Sequence, residues 1–73
     1  MEKSLDLIIS ENLKREIEQS GLLKSEIASA IGVSRATISQ YLSGRAQPTL
    51  ATLSKLCSVL DCSADDILSV KRD

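Results

Sequence analysis

From Gly21 to Leu50 the chain reads GLLKSEIASAIGVSRATISQYLSGRAQPTL, two short stripes of helical period held apart by a single glycine. Ile27, Ala28 and Ile31 form the first stripe, and Ile38 and Tyr41 the second. The few residues between them leave room for a tight turn and nothing longer. The spacing predicts one helix over about 24–31 and another over about 35–42. Ala28 is small enough to let the next helix approach closely. Gly32 permits the positive backbone angle of such a turn at little steric cost. Val33 and Ile38 then pin the later helix onto the earlier one, and Ser34 is a good N-cap for it.

The flanks carry the same period. Leu5, Ile9, Leu13 and Ile17 recur every four residues among polar neighbours, which predicts an amphipathic helix of about four turns. Ser4 is suited to cap its start and Gly21 to end it in a left-handed conformation. Ser43-Gly44 closes the third helix, and Arg45-Ala46-Gln47-Pro48 reads as a loop, with Pro48 holding its predecessor extended. Thr49 caps a fourth helix whose stripe runs through Leu50, Leu53, Leu56, Cys57 and Leu60. Ser63-x-x-Asp66 approximates a capping box for a short fifth helix, in which Ile67 and Leu68 close the core. Residues 1–3 and 70–73 are expected to be flexible ends of one domain spanning 1–73.

Composition supports an all-α class. With one Tyr and no Phe or Trp, the core must be aliphatic, and one Pro with three Gly gives little punctuation for strands. No apolar run approaches the roughly 20 residues needed to span a bilayer, and no secretory signal opens the chain. Cys57 and Cys62 are expected to be reduced thiols in a cytoplasm. Cys57 lies on the apolar face of its helix, and Cys62 is expected at its partly exposed edge. Their spacing and the lack of any His argue against zinc. Asp61, Asp65 and Asp66 read as a solvated face with helix-start acids. A chain without His, and with no activating base beside either Cys, offers no catalytic constellation. It is expected to be no enzyme and to need no cofactor.

Net charge is −1, which argues against indiscriminate binding of polyanions. The distribution is uneven. Between Lys24 and Gln47 stand three basic residues (Lys24, Arg35, Arg45) and one acid (Glu26). The outward positions of the third helix are Arg35, Ala36, Thr37, Ser39 and Gln40. These residue types suit base edges in a major groove: Arg pairs bidentately with guanine, Gln with adenine, and Ala or the Thr methyl touches the thymine methyl.

The pattern E-I-A-x-x-I-G-V-S-R-x-T-I-S-x-Y-x-S-G-R-x-x-P-T-L, Glu26 to Leu50, strongly resembles the lambda-repressor-like (Cro/XRE) helix-turn-helix family. The resemblance continues through Leu53, Leu56, Leu60 and the Ser63-Ile67-Leu68 ending. It implies a five-helix lambda-repressor-like DNA-binding domain that acts as a dimer on paired half-sites. It places Arg35, Ala36, Thr37 and Gln40 at base edges. It places Lys24, Ser43, Arg45 and Gln47 at the DNA backbone, with Ser39 in reach of either. Three positions depart from the family pattern. Leu23 stands where many relatives have a capping Thr or Ser, and Lys24 where many have Gln. Leu42 stands where many have a Glu that in some relatives pairs with a base on the first helix, here Ile17. An apolar contact between Ile17 and Leu42 is expected in its place, a swap that is often neutral or stabilising.

The expected function is a cytoplasmic, sequence-specific regulator of transcription, a repressor in type, that binds double-stranded DNA as a homodimer. No membrane or small-molecule partner is indicated. Ile67, Leu68 and Val70 are the candidates for a partly exposed dimer surface. The alternatives are a protein-interaction module or antitoxin on the same fold, which the net acidity favours, and a nucleoid protein without sequence preference.

Overall fold

The computed structural model describes residues 4–69 and contains five α-helices: α1 (Leu5–Ser20), α2 (Lys24–Ile31), α3 (Arg35–Ser43), α4 (Leu50–Leu60) and α5 (Ala64–Leu68). No strand occurs among the described residues. The expected flexible ends, Val70 included, lie outside them.

Each helix begins where a side chain is present to hold its first free amide, with one exception. Ser4, Ser34, Thr49 and Ser63 accept hydrogen bonds from the backbone N–H groups of Leu7, Thr37, Thr52 and Asp66. Ser63 and Asp66 cap reciprocally, since the Ser63 N–H also donates to Asp66 Oδ2 at 2.9 Å. The exception is α2. Leu23 precedes it without a side-chain cap, and Glu26 folds back so that its Oε1 accepts the Leu23 N–H at 2.9 Å. That is the acidic half of a capping box, working without its hydroxyl partner.

The core takes one fully buried side chain from every helix: Leu13, Ile27, Ile38, Leu56 and Ile67. Each such burial is worth about 1.5–3 kcal/mol. Ile9, Ile17, Ala28, Ile31, Tyr41, Leu53 and Leu60 complete the cluster. Helix α1 packs against α3, α4 and α5, while α2 packs against α3 and α4. Ile17 is buried in the core cluster, and Leu42 is half-buried against the same cluster. Cys57 and Cys62 are both free thiols, half-buried against the core.

The expected stripes are too long at two helix starts. Leu5 is 60% exposed and Leu50 84% exposed. Each is the first residue of its helix, and the periodic face continues there past the last neighbour that covers it. Ile67 corrects a third expectation: it is wholly buried and takes no part in an exposed dimer surface. Helix α5 is so short that its central apolar side chain is also the plug that fixes it to α1. Leu68 is half-buried.

Between α1 and α5 a polar clasp reinforces that plug. Asn12 Nδ2 donates to the Ile67 carbonyl at 2.9 Å and to Ser69 Oγ at 2.7 Å. Arg15 Nη2 donates to the Asp66 carbonyl at 3.0 Å, and Nη1 to Asn12 Oδ1 at 3.0 Å. These donors supply carbonyls that a five-residue helix leaves without intrahelical partners. Ser69, held by Asn12, sits at φ 55°, a left-handed conformation that few serines adopt.

Candidate nucleic-acid interface

The α2–α3 turn sets the geometry of the face. Gly32 lies at φ 78°, and its N–H and that of Val33 both donate to the Ala28 carbonyl, at 2.9 and 3.0 Å. A Cβ on Gly32 would meet no atom within 4 Å, so backbone angle and not space requires glycine there. Val33, half-buried on the core, closes the turn against α2.

Helix α3 is one residue longer than expected, ending at Ser43 with Gly44 at φ 80°. Ile38 and Tyr41 face inward. Arg35, Ala36, Ser39, Gln40 and Ser43 are all exposed. At helical spacing they form one continuous outer edge about 12 Å long. Thr37 is half-buried. Its hydroxyl shares a 2.9 Å hydrogen bond with Ser34 Oγ, which also accepts the Thr37 N–H at 3.1 Å. The N-cap therefore engages both the hydroxyl and the backbone N–H of Thr37. Ser43 Oγ donates to the Gln40 carbonyl at 3.1 Å.

Lys24, at the first position of α2, and Arg45 and Gln47, in the loop after α3, are exposed as well. The Arg45 N–H donates to the Gln40 carbonyl at 3.1 Å, which bends the loop back along the helix. Lys24, Arg35 and Arg45 form no hydrogen bond or ion pair through their side chains with any described residue. Gln47 is different: its Nε2 donates to Asp6 Oδ1 in the first turn of α1. A second contact anchors the same corner. Ser10 is buried, donates to the Leu7 carbonyl at 2.9 Å, and lies where a Cβ on Gly44 would meet its Oγ at 3.7 Å.

Two acids thus border this face, and the local charge count held only one of them. Glu26 stands inside the segment, two residues from Lys24, and its position three residues after the cap is the sequence signal for it. Asp6 arrives from 41 positions away, and no local pattern announces it.

Among the described residues no helix is long and apolar enough to cross a membrane. The helix-turn-helix family profile matches residues 13–67. A search of curated protein sequences gave no significant match. Among solved structures, the solution structure of the SOS-response transcriptional repressor LexA from Eubacterium rectale matches with a TM-score of 0.82 at 30% identity, covering 100% of this chain and 82% of that one. A profile that spans both helices of the α2–α3 unit and the core around them, on an all-α fold of five helices, places this chain in the lambda-repressor-like (Cro/XRE) helix-turn-helix family, a DNA-binding and non-catalytic family.

Proposed function

We propose that this chain is the DNA-binding domain of a cytoplasmic repressor that recognises a specific double-stranded DNA sequence by laying α3 in the major groove. The observation that carries the reading is the outer edge of α3. Its Arg35, Ala36, Ser39 and Gln40 side chains are exposed and bonded to no described residue, between two equally unbonded cations, Lys24 and Arg45. A recognition helix reads bases with the residues near its N-terminus. Arg35, Ala36, Thr37 and Gln40 are the base readers in this proposal. Lys24, Ser39, Ser43, Arg45 and Gln47 hold the DNA backbone and fix the register. The likeness to a protein described as a transcriptional repressor supports the regulatory direction. Binding as a homodimer would place two α3 helices about 34 Å apart on a two-fold site.

Selection of bound duplexes from a random pool, followed by fluorescence titration, tests this directly. An inverted-repeat site should emerge. Gln40→Ala should lose about 1–3 kcal/mol on that site and accept more sequences. Lys24→Ala should weaken binding to all duplexes alike and reduce the salt slope by about one. A pool that yields no preferred sequence points to a nucleoid role. Binding to a protein partner, indifferent to Arg35→Ala and Gln40→Ala, points to an interaction module.

A further inference from the structure

The local charge count from Lys24 to Gln47 leaves out the acid that the fold brings to that face. Asp6 is exposed in the first turn of α1, and its carboxylate accepts the Gln47 side-chain amide. No base among the described residues pairs with it. An ion pair would neutralise the carboxylate, whereas an amide hydrogen bond orients it and leaves its charge intact. Arg45, two residues before Gln47, shares the same loop.

We propose that Asp6 is an electrostatic brake on DNA binding: it occupies the Gln47 amide and sets a negative charge beside the track a phosphate backbone would follow. The proposal rests on the DNA-binding reading above and deepens it. A phosphate hydrogen-bonded to the Gln47 amide would lie about 5–6 Å from the carboxylate, two hydrogen-bond lengths away. In a solvated setting at low salt, repulsion over that distance weakens binding about 2–4-fold. It acts on the backbone and not on bases, so it lowers affinity for every duplex and leaves the preference between sequences unchanged. On a chain with so few basic residues at its binding face, such a charge keeps non-specific occupancy low.

Asp6→Asn separates charge from hydrogen bonding, because the amide oxygen still accepts from Gln47. The control is Asp61→Asn, the same loss of charge beyond the far end of α4, at a left-handed position that Asn tolerates. The three proteins are titrated against a random-sequence duplex at low and high salt. Asp6→Asn should bind about 2–4-fold tighter at low salt, and the gain should fade as salt shortens the Debye length. Asp61→Asn should behave as the parent protein. Equal gains from both variants would reduce the effect to net charge and overturn the local brake. Binding by Asp6→Asn equal to or weaker than the parent would overturn the brake alone. A parent protein that binds no duplex at low salt would overturn the brake and the DNA-binding reading together. Independently of DNA, the Gln47 side-chain amide resonances of the parent should differ from those of Asp6→Ala, which removes the acceptor. Identical Gln47 amide resonances in the two proteins would overturn the contact itself.

Discussion

On the outer edge of α3, Arg35 makes no hydrogen bond or ion pair with a described residue. At the seam between α1 and α5, Arg15 donates to the Asp66 carbonyl, to Asn12 and to Glu16, with an ion pair to Glu16 at 3.2 Å. The residue type is the same, and the state of the neighbouring helix ends differs. Helix α3 is capped by its own flanks, Ser34 before it and Gly44 after it, so no backbone group there needs Arg35. Helix α5 is five residues long and borrows donors from α1 to complete its C-terminal end. A helix that completes its own termini keeps its long polar side chains free for a ligand. A helix that cannot do so draws such side chains into structure.

The sharpest way to break that contrast is to strike the seam at its plug. Ile67→Ala removes the one fully buried side chain of α5 and should cost about 2–5 kcal/mol. Against a total stability of about 5–15 kcal/mol, with a chain this short near the lower end, much of the protein should unfold in mild urea. Arg35→Ala should do the reverse. Its unfolding free energy in urea should stay within about 0.5 kcal/mol of the parent's. Its affinity for the selected DNA site should fall by about 1–3 kcal/mol. A destabilised Arg35→Ala protein would mean that α3 relies on that side chain after all, and the contrast would fail.

A smaller effect tests the clasp separately from the plug. Asn12→Ala strips a donor from the Ile67 carbonyl and from Ser69 without opening the core. The expected loss is about 1 kcal/mol in urea unfolding, the ordinary worth of such a hydrogen bond. Amide exchange should accelerate in α5 and at Ser69 and stay unchanged in α3. Faster exchange spread evenly over all five helices would show that the clasp holds the whole core and not one terminus.

These outcomes also explain how far the amino-acid pattern could be read. Caps act within three residues, so Ser4, Ser34, Thr49 and Ser63 mark their helices without reference to anything distant. Gly21, Gly32 and Gly44 end helices through their own backbone angles, and the outward set on α3 follows from period alone. Leu5 and Leu50 mislead because period reports a face and not what covers it. Both lie one turn beyond the packed part of their helices. By period alone, Asn12, Arg15 and Asp6 are no more than polar neighbours of an amphipathic stripe. Their partners stand 55, 51 and 41 positions away, and the contacts exist only once the fold has formed. The base-reading edge was legible because it is local. The charge that borders it was not, because it belongs to another helix.

The weakest effect lies in pH, and it sharpens the contrast because both groups concerned sit near the seam. Hydrogen bonds from the Ser63 backbone and hydroxyl, more than the charge of Arg15, hold the Asp66 carboxyl below the usual carboxylate range. A depressed folded-state value gives stability that is present above the ordinary carboxyl range and is lost as pH falls through the folded value. Cys62 moves in the opposite sense. Burial first, then Cys57 and the carboxylates of Glu16 and Asp66, push its thiol from 9.0 up to about 11. The folded state holds that proton more tightly than the unfolded chain does, so its contribution is complete below about pH 9 and disappears as pH rises towards about 11. Urea midpoints measured from pH 2 to 11 should therefore fall at both ends. Cys62→Ser should flatten the alkaline limb alone, and Asp66→Asn, which removes the titrating carboxyl, should flatten chiefly the acid limb. Thiolate absorbance in the folded protein should show one of the two cysteines ionising only near pH 11. Ionisation of the Cys62 thiol near its ordinary value of 9.0 would mean that the end of α4 is open to water, and that the α1–α5 seam is no drier than the edge of α3.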